Sequence, residues 1–244
     1  LKSAVIPDDR PTTGGFAILD EEVEKLLRKD FASFAKGEKE TPLPELKEAV
    51  KLYNKVLDTK RRDEEGMKPI LPYLKEIEEI NDVADLNKKA KTLVLDGVDL
   101  PFSFGVEPNM KNAEKNALIL TGPSIILPDT TYYAEDNAAG KQLLEVFKNM
   151  AKAILAKSPL SEEEQEKYIE DTLAFDALIA KQVKSQLEWA DYVANYNPMS
   201  TSEVSSLLEP FDFAHLLKEF YGANIPEEVI VYDPKAIRNF REYF

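Results

Sequence analysis

The chain has 244 residues, 43% of them hydrophobic and 31% charged, which is enough for a soluble globular protein to bury roughly three quarters of its unfolded surface in one domain or two lobes. Its 45 acidic residues against 31 basic ones give a net charge of -14, which repels phosphate backbones and anionic lipid, so neither nucleic acid nor a membrane is an expected partner of these residues. The absence of cysteine removes a disulfide framework, thiolate catalysis and Cys-type metal sites, and no apolar run of about 18 residues is available to span a bilayer. Cysteine usage and the lack of a leader place the expected location in the cytoplasm, while a chain that starts at Leu1 without methionine is expected to have been trimmed there.

Residues 1–15 read as extended and turn-rich, because Pro7, Pro11 and Gly14-Gly15 oppose a helix. Asp20 then opens a helix whose apolar positions Val23, Leu26, Leu27, Phe31 and Phe34 recur at spacings of three and four, with Gly37 as terminator. A polar loop with Pro42 and Pro44 leads to a helix over 45–58 that places Leu46, Val50, Tyr53 and Leu57 on one face. The mixed charges of residues 60–65, KRRDEE, fit a solvated helix surface or turn better than a binding patch. After Gly66, a segment with Pro69 and Pro72 carries Leu74, Ile77 and Ile80, and Asn81 or Asp82 caps a helix over 83–95 that Asp96 and Gly97 end.

Residues 116–137, NALILTGPSIILPDTTYYAEDN, divide the chain into unlike halves. Ala117 to Leu120 reads as a strand, able to pair with residues 102–106 as a small hairpin; Gly122-Pro123 reads as a turn, and Ser124 to Leu127 as a second extended piece ended by Pro128. Asp129 or Thr130 caps a short helical turn bearing Tyr132 and Tyr133, and a helix follows from about Asn137, with Leu143, Leu144, Phe147, Met150, Ala151 and Ile154 as its apolar stripe, to Ser158-Pro159. Ser161 and Glu164 form a capping box that opens the longest periodic segment, in which Tyr168, Thr172, Phe175, Ile179, Gln182, Gln186, Trp189 and Val193 predict a spine helix of about thirty residues, roughly 45 Å. Asn197-Pro198 stops it. Thr201 or Ser202 then caps a helix over 203–208, a helix over 213–221 follows Pro210, residues 228–232 form a short β-branched strand, and Pro234 starts a helix that runs to the chain end without a terminator, a second expected sign of truncation.

Chemistry is sparse. His215 is the only histidine, no Gly-x-Ser-x-Gly elbow accompanies it, and its neighbours Phe211, Phe213 and Leu216 suit a helix-surface or core residue. There is no His-Glu-x-x-His, one histidine cannot furnish a catalytic zinc site, and Gly14-Gly15 has no strand–lysine context for a phosphate loop. Glu162, Glu163 and Glu164 point in different directions on a helix and fit the positive end of its dipole rather than a cation site. By these residues alone the chain is not a complete enzyme.

The order of landmarks resembles the N-terminal, non-catalytic portion of the neprilysin-like zinc endopeptidases, and most of all their bacterial oligopeptidase O type. The anchors are Ile6-Pro7-Asp8 with Gly15-Phe16 and Leu19; Leu52-Tyr53 to Asp58 with Gly66 and Pro69-Ile70; Val106, Lys111-Asn112, Leu127-Pro128 and Tyr132-Tyr133; Tyr196-Asn197-Pro198-Met199; and VIVYDP from Val229 to Pro234. Val56 stands where animal members carry a cysteine. The resemblance implies a mainly α fold, a multi-helical bundle with one long spine helix and a small β-hairpin, spanning residues 1–244 as the N-terminal lobe of a two-lobed metallopeptidase. It implies zinc in the full-length protein, held by a His-Glu-x-x-His helix and a later glutamate beyond this chain, with no catalytic residue and no zinc ligand within it. The implied partners are the protein's own C-terminal catalytic domain and oligopeptide substrates, and the implied role is to cap the catalytic cavity and limit substrate size. Phe16 takes the position of a phenylalanine that lines the substrate side-chain pocket, whereas Thr12 and Asp20 replace substrate-contacting arginines and Ala17 an aspartate, so a preference for C-terminal dipeptide carboxylates does not carry over. The competing expectation is a non-enzymatic α-helical scaffold or peptide-binding module.

Overall fold

The computed structural model describes residues 6, 13–41 and 43–243, and the chain divides into two compact units, Leu1–Gly66 and Met67–Phe244. Pro7, Asp8, Pro11, Thr12 and Pro42, which carry part of the expected N-terminal segment and loop, lie outside the described residues.

The first unit consists of α1 (Gly15–Ala35), α2 (Pro44–Leu57) and α3 (Thr59–Glu65). Helix α1 begins five residues before the expected Asp20. Its N-terminal turn, from Gly15 to Ile18, carries no helix breaker after the two glycines, and Gly14 precedes it in extended conformation. Gly37, at φ 74°, ends it, because the left-handed turn after a helix costs glycine no Cβ clash. In α2, Pro44 occupies the first turn, Glu45 sits at the positive end of the helix dipole and Lys55 at the negative end. The KRRDEE segment is solvated helix α3. Asp58 caps it by accepting from the Arg61 N–H at 3.0 Å, and Arg61–Glu65 and Lys60–Glu64 pair one turn apart on its exposed surface. The Phe31 and Tyr53 rings, with centroids 5.5 Å apart, join α1 to α2.

The second unit carries α4 (Leu71–Glu78), α5 (Val83–Leu95), β1 (Ser103–Asn109), β2 (Asn112–Thr121), a 3-10 turn (Thr130–Tyr133), α6 (Ala138–Leu155), α7 (Glu162–Gln182), α8 (Gln186–Trp189), β3 (Asn197–Ser200), α9 (Thr201–Leu208), α10 (Phe213–Tyr221), β4 (Glu228–Val231), α11 (Pro234–Arg238) and a closing 3-10 turn (Phe240–Tyr243). The expected hairpin is present, with Phe104 opposite Leu120 and Val106 opposite Leu118. It belongs to a larger sheet of order β1-β2-β4-β3, in which β4 runs parallel to β2 and antiparallel to β3. The two central strands bury Leu118 to Leu120 and Val229 to Val231 almost completely, as expected of strands covered on both faces. At one end Phe102 is enclosed by the rings of Phe211, Phe213 and Phe240 at 5.1, 5.7 and 5.9 Å. Such contacts add roughly 0.5–1.5 kcal/mol each beyond area burial.

Three expectations are corrected. The spine helix stops at Gln182, after 21 residues. The Lys184 N–H is directed to the Asp233 carboxylate instead, and Ser185 with Glu188 builds a second capping box that starts α8 anew. Residues 197–200, read as a helix stop, form β3, because they find the free edge of β4. Ser124 to Leu127, read as a second extended piece, is an irregular loop whose Ile126 and Leu127 N–H groups are satisfied by side chains.

Candidate functional site

A large recess lies wholly in the second unit. Its roof is the loop from Thr121 to Asp129, one wall is the C-terminal half of α7, and the remainder comes from the residues leading into β1 and from the α7–α8 junction. The volume is about 1030 Å³, and Phe102, Ile125, Leu127, Phe175, Ile179 and Val183 make much of its surface apolar.

A single buried carboxylate shapes the roof. Asp176 is on the inward face of α7, 5% exposed, and accepts from the Ile126 N–H at 2.8 Å and from the Tyr133 hydroxyl. The Tyr133 oxygen in turn accepts from the Leu127 N–H at 3.1 Å. Burial, together with the bond to Asp176, pushes the Tyr133 phenol well above the usual tyrosine range, so it remains a neutral donor. The adjacent Tyr132 meets α6 through its backbone. A Cβ on Gly140, in the first turn of that helix, would stand 1.8 Å from the Tyr132 carbonyl oxygen, so only glycine permits the approach. Asp129 caps the 3-10 turn through the Thr131 N–H at 2.9 Å and reaches the first N–H of α8 at Gln186, 2.5 Å away. That bond from Gln186, then those from Thr131, hold its carboxyl below the usual carboxylate range.

The floor is a second closed network. Asp233 is fully buried; it caps α11 through the Ala236 N–H at 3.1 Å and receives the Lys184 N–H at 2.9 Å. The Lys184 ammonium donates to the Tyr232 carbonyl at 2.6 Å and to Asn195 Oδ1 at 2.9 Å, and lies 5.3 Å from the centre of the Trp189 ring. Asp129, Asp176 and Asp233 thus spend their oxygens on N–H and O–H donors, and none is placed as a general base. The arrangement gives a largely apolar hollow whose Asp129 and Asp233 carboxylates are already engaged by donors.

Phe16 is elsewhere, in the first turn of α1 in the first unit, with 92% of its surface exposed. His215 lies on α10, exposed, 3.9 Å from Glu219 one turn on. Among the described residues, no group of three His, Asp or Glu side chains converges as a metal site would require. Asp176, Lys184 and Asp233 were not singled out by sequence. An isolated acid in the apolar stripe between Phe175 and Ile179 was the available sign for Asp176, and the Asp-Pro step for Asp233, since aspartate before a first-turn proline is a common helix start.

The N-terminal model of peptidase family M13 matches residues 1–244. This chain belongs to peptidase family M13. It is 36% identical over 238 residues to a neutral endopeptidase of Lactobacillus helveticus, covering 97% of this chain and 36% of that protein. Among solved structures it is similar to PEPO of Lactobacillus rhamnosis HN001, with a TM-score of 0.84 at 24% identity, over 100% of this chain and 38% of that one. It is also similar to the zinc metalloprotease Zmp1 of Mycobacterium tuberculosis in complex with an inhibitor, with a TM-score of 0.80 at 21% identity, over 98% and 36% of the two chains. The chain therefore spans under two fifths of the length of these relatives. The expected mainly α class with a small β component is the fold these structures share.

Proposed function

We propose that the chain is the N-terminal, non-catalytic region of a zinc endopeptidase that hydrolyses oligopeptides, and that it caps the catalytic cavity, limits substrate size and supplies part of the peptide-binding wall. The observation that carries this is the family match across all 244 residues, joined to a relative named as a neutral endopeptidase. The first unit supplies a physical reason for a partner within the same protein. Helix α1 exposes Phe16, Leu19, Val23 and Leu26, the last at 58%, and a monomeric soluble protein does not usually leave such a continuous apolar stripe in water. Covering that stripe with the C-terminal catalytic domain would place Phe16 at the substrate wall.

Among the described residues, the side chains present do not fit a zinc site. There is one histidine, it stands on a surface helix, and the buried carboxylates are consumed by caps and clamps. In this proposal the ion is held by residues outside the chain, and no hydrolytic step runs through the 244 residues. The test is to express the parent coding sequence and this chain separately and assay a fluorogenic oligopeptide with and without chelator. The expected result is chelator-sensitive cleavage by the parent and none by the chain; hydrolysis by the chain alone would overturn the assignment. Phe16→Ala in the parent is expected to raise KM for peptides several-fold with little change in kcat. An unchanged KM would remove Phe16 from the wall.

A further inference from the structure

We propose that the free edge of strand β1 is a docking strip for an extended oligopeptide of neutral or basic charge, which joins the sheet of the second unit as a fifth strand. This rests on the functional reading above, in which the chain supplies part of the wall that meets peptides, and names where that wall is.

The sheet order places β1 at a margin, paired with β2 on one side and, among the described residues, with no strand on the other. The register shows which of its main-chain groups are left over. The Tyr232 N–H donates to the Leu120 carbonyl at 2.9 Å, so Leu120 turns its backbone toward β4. In an antiparallel pair, successive residues turn their N–H and C=O groups to opposite sides. Phe104 stands opposite Leu120 and Val106 opposite Leu118, so the main chains of Phe104, Val106 and Pro108 face outward, while those of Gly105 and Glu107 bond to β2. Proline at 108 therefore gives up an N–H that the ladder does not use. Such an edge matches an extended backbone, whose own donors and acceptors repeat at the same spacing. Edges are usually blunted by lysine, yet residues 103–107, SFGVE, contain none, and Val106 is half in water. Gly105 points the same way: open space lies where its Cβ would stand and its φ is not in the left-handed region, so neither crowding nor a turn calls for glycine. A glycine inside a strand marks close approach by another chain, and its bare face accepts an aromatic side chain from a neighbouring strand. Two further observations choose the occupant. A net charge of -14 repels a second copy of the chain and acidic peptides alike. Leu100 to Ser103, just before the edge, belong to the wall of the recess, so a segment longer than the edge continues along it.

The experiment follows amide hydrogen exchange, residue by residue, in the full-length parent after a chelator has stopped hydrolysis, with and without a lysine-flanked peptide carrying a central phenylalanine. Exchange at Phe104 and Val106 should slow about ten-fold when the peptide is at about ten times its Kd, the limit that mass action sets. Gly105 and Glu107 should not change, because β2 already holds their N–H groups. Val106→Pro removes one outward N–H, leaves the β1–β2 ladder intact and should weaken peptide binding about five-fold. Gly105→Val should abolish the preference for phenylalanine over alanine at the centre of the peptide, and it serves in place of Val106→Pro if that variant lacks a native thermal transition. Slow exchange at both residues without peptide, slowing that follows enzyme rather than peptide concentration, or no slowing at either residue would overturn the inference. A parent that cleaves no oligopeptide before the chelator is added would instead overturn the functional reading, and the exchange at Phe104 and Val106 still decides the docking strip.

Discussion

Helices α1 and α10, one from each unit, are written in the same amphipathic language and end in opposite states. Helix α1 has apolar residues at spacings of three and four, as does α10, yet none of the residues in α1 is buried, whereas α10 buries Phe213, Leu216 and Leu217 almost completely. The difference lies in what each stripe meets within its own unit. In the second unit a sheet with two apolar faces and the phenylalanine cluster receive it. In the first, two longer helices and one short one have too little surface to cover one another, and small assemblies of this kind bury a low fraction of their area. Periodicity states that a face seeks cover; it does not state that the cover is nearby.

The comparison can be broken most severely at the phenylalanine cluster. Phe102→Ala is expected to cost the second unit about 4 kcal/mol, since the cavity left among Phe211, Phe213 and Phe240 cannot collapse, and urea unfolding followed at Trp189 should show it. Next is the roof clamp: Asp176→Ala leaves the Ile126 N–H and the Tyr133 hydroxyl unpaired, about 3 kcal/mol, and should speed hydrogen exchange at Ile126 and Leu127. Gly140→Ala forces a methyl against the Tyr132 carbonyl, about 2–3 kcal/mol, and should separate the 3-10 turn from α6; a normal melting temperature would show that the helix can slide.

A milder lever is alkaline pH. Burial, and then the Asp233 charge, push the Tyr243 phenol up to about 12 from an ordinary value near 10. The unfolded chain therefore releases this proton first. The stabilising contribution is complete below pH 10 and is lost as pH rises to about 12, on the order of 2 kcal/mol, with the Tyr133 shift acting in the same direction. Tyr243→Phe should flatten that part of the stability profile. The smallest effect is expected in the first unit, where Leu26→Ala should change the stability of this chain by no more than about 0.5 kcal/mol, because a side chain 58% exposed has little burial to lose. A loss as large as that of Phe102→Ala would mean that the stripe on α1 is covered.

Much of the second unit was legible because its signals are local. The cap at Asn81 or Asp82, the Ser161 cap and the helix over 213–221 rest on chemistry within a few residues, and the pairing of residues 102–106 with 117–120 on a short loop between them. The family resemblance was legible for a different reason, through ordered anchors such as Leu127-Pro128 with Tyr132-Tyr133. The break of the spine helix was not. Val183 to Ser185 would continue a helical pattern, and what ends it is the Asp233 carboxylate, far away in the chain, taking the Lys184 N–H. The same holds for β3, whose four residues become a strand only when the edge of β4 is present.

The sequence by itself therefore determined the helical class, most helix starts, the hairpin and the family resemblance. Tertiary structure alone decided the four-stranded sheet, the length of α7, the clamp of Asp176 on the Tyr133 loop and the recess beneath it. Caps and periodicities are settled by neighbours along the chain, whereas a buried carboxylate or an edge strand is stable only when a partner distant in sequence neutralises its hydrogen-bonding demand.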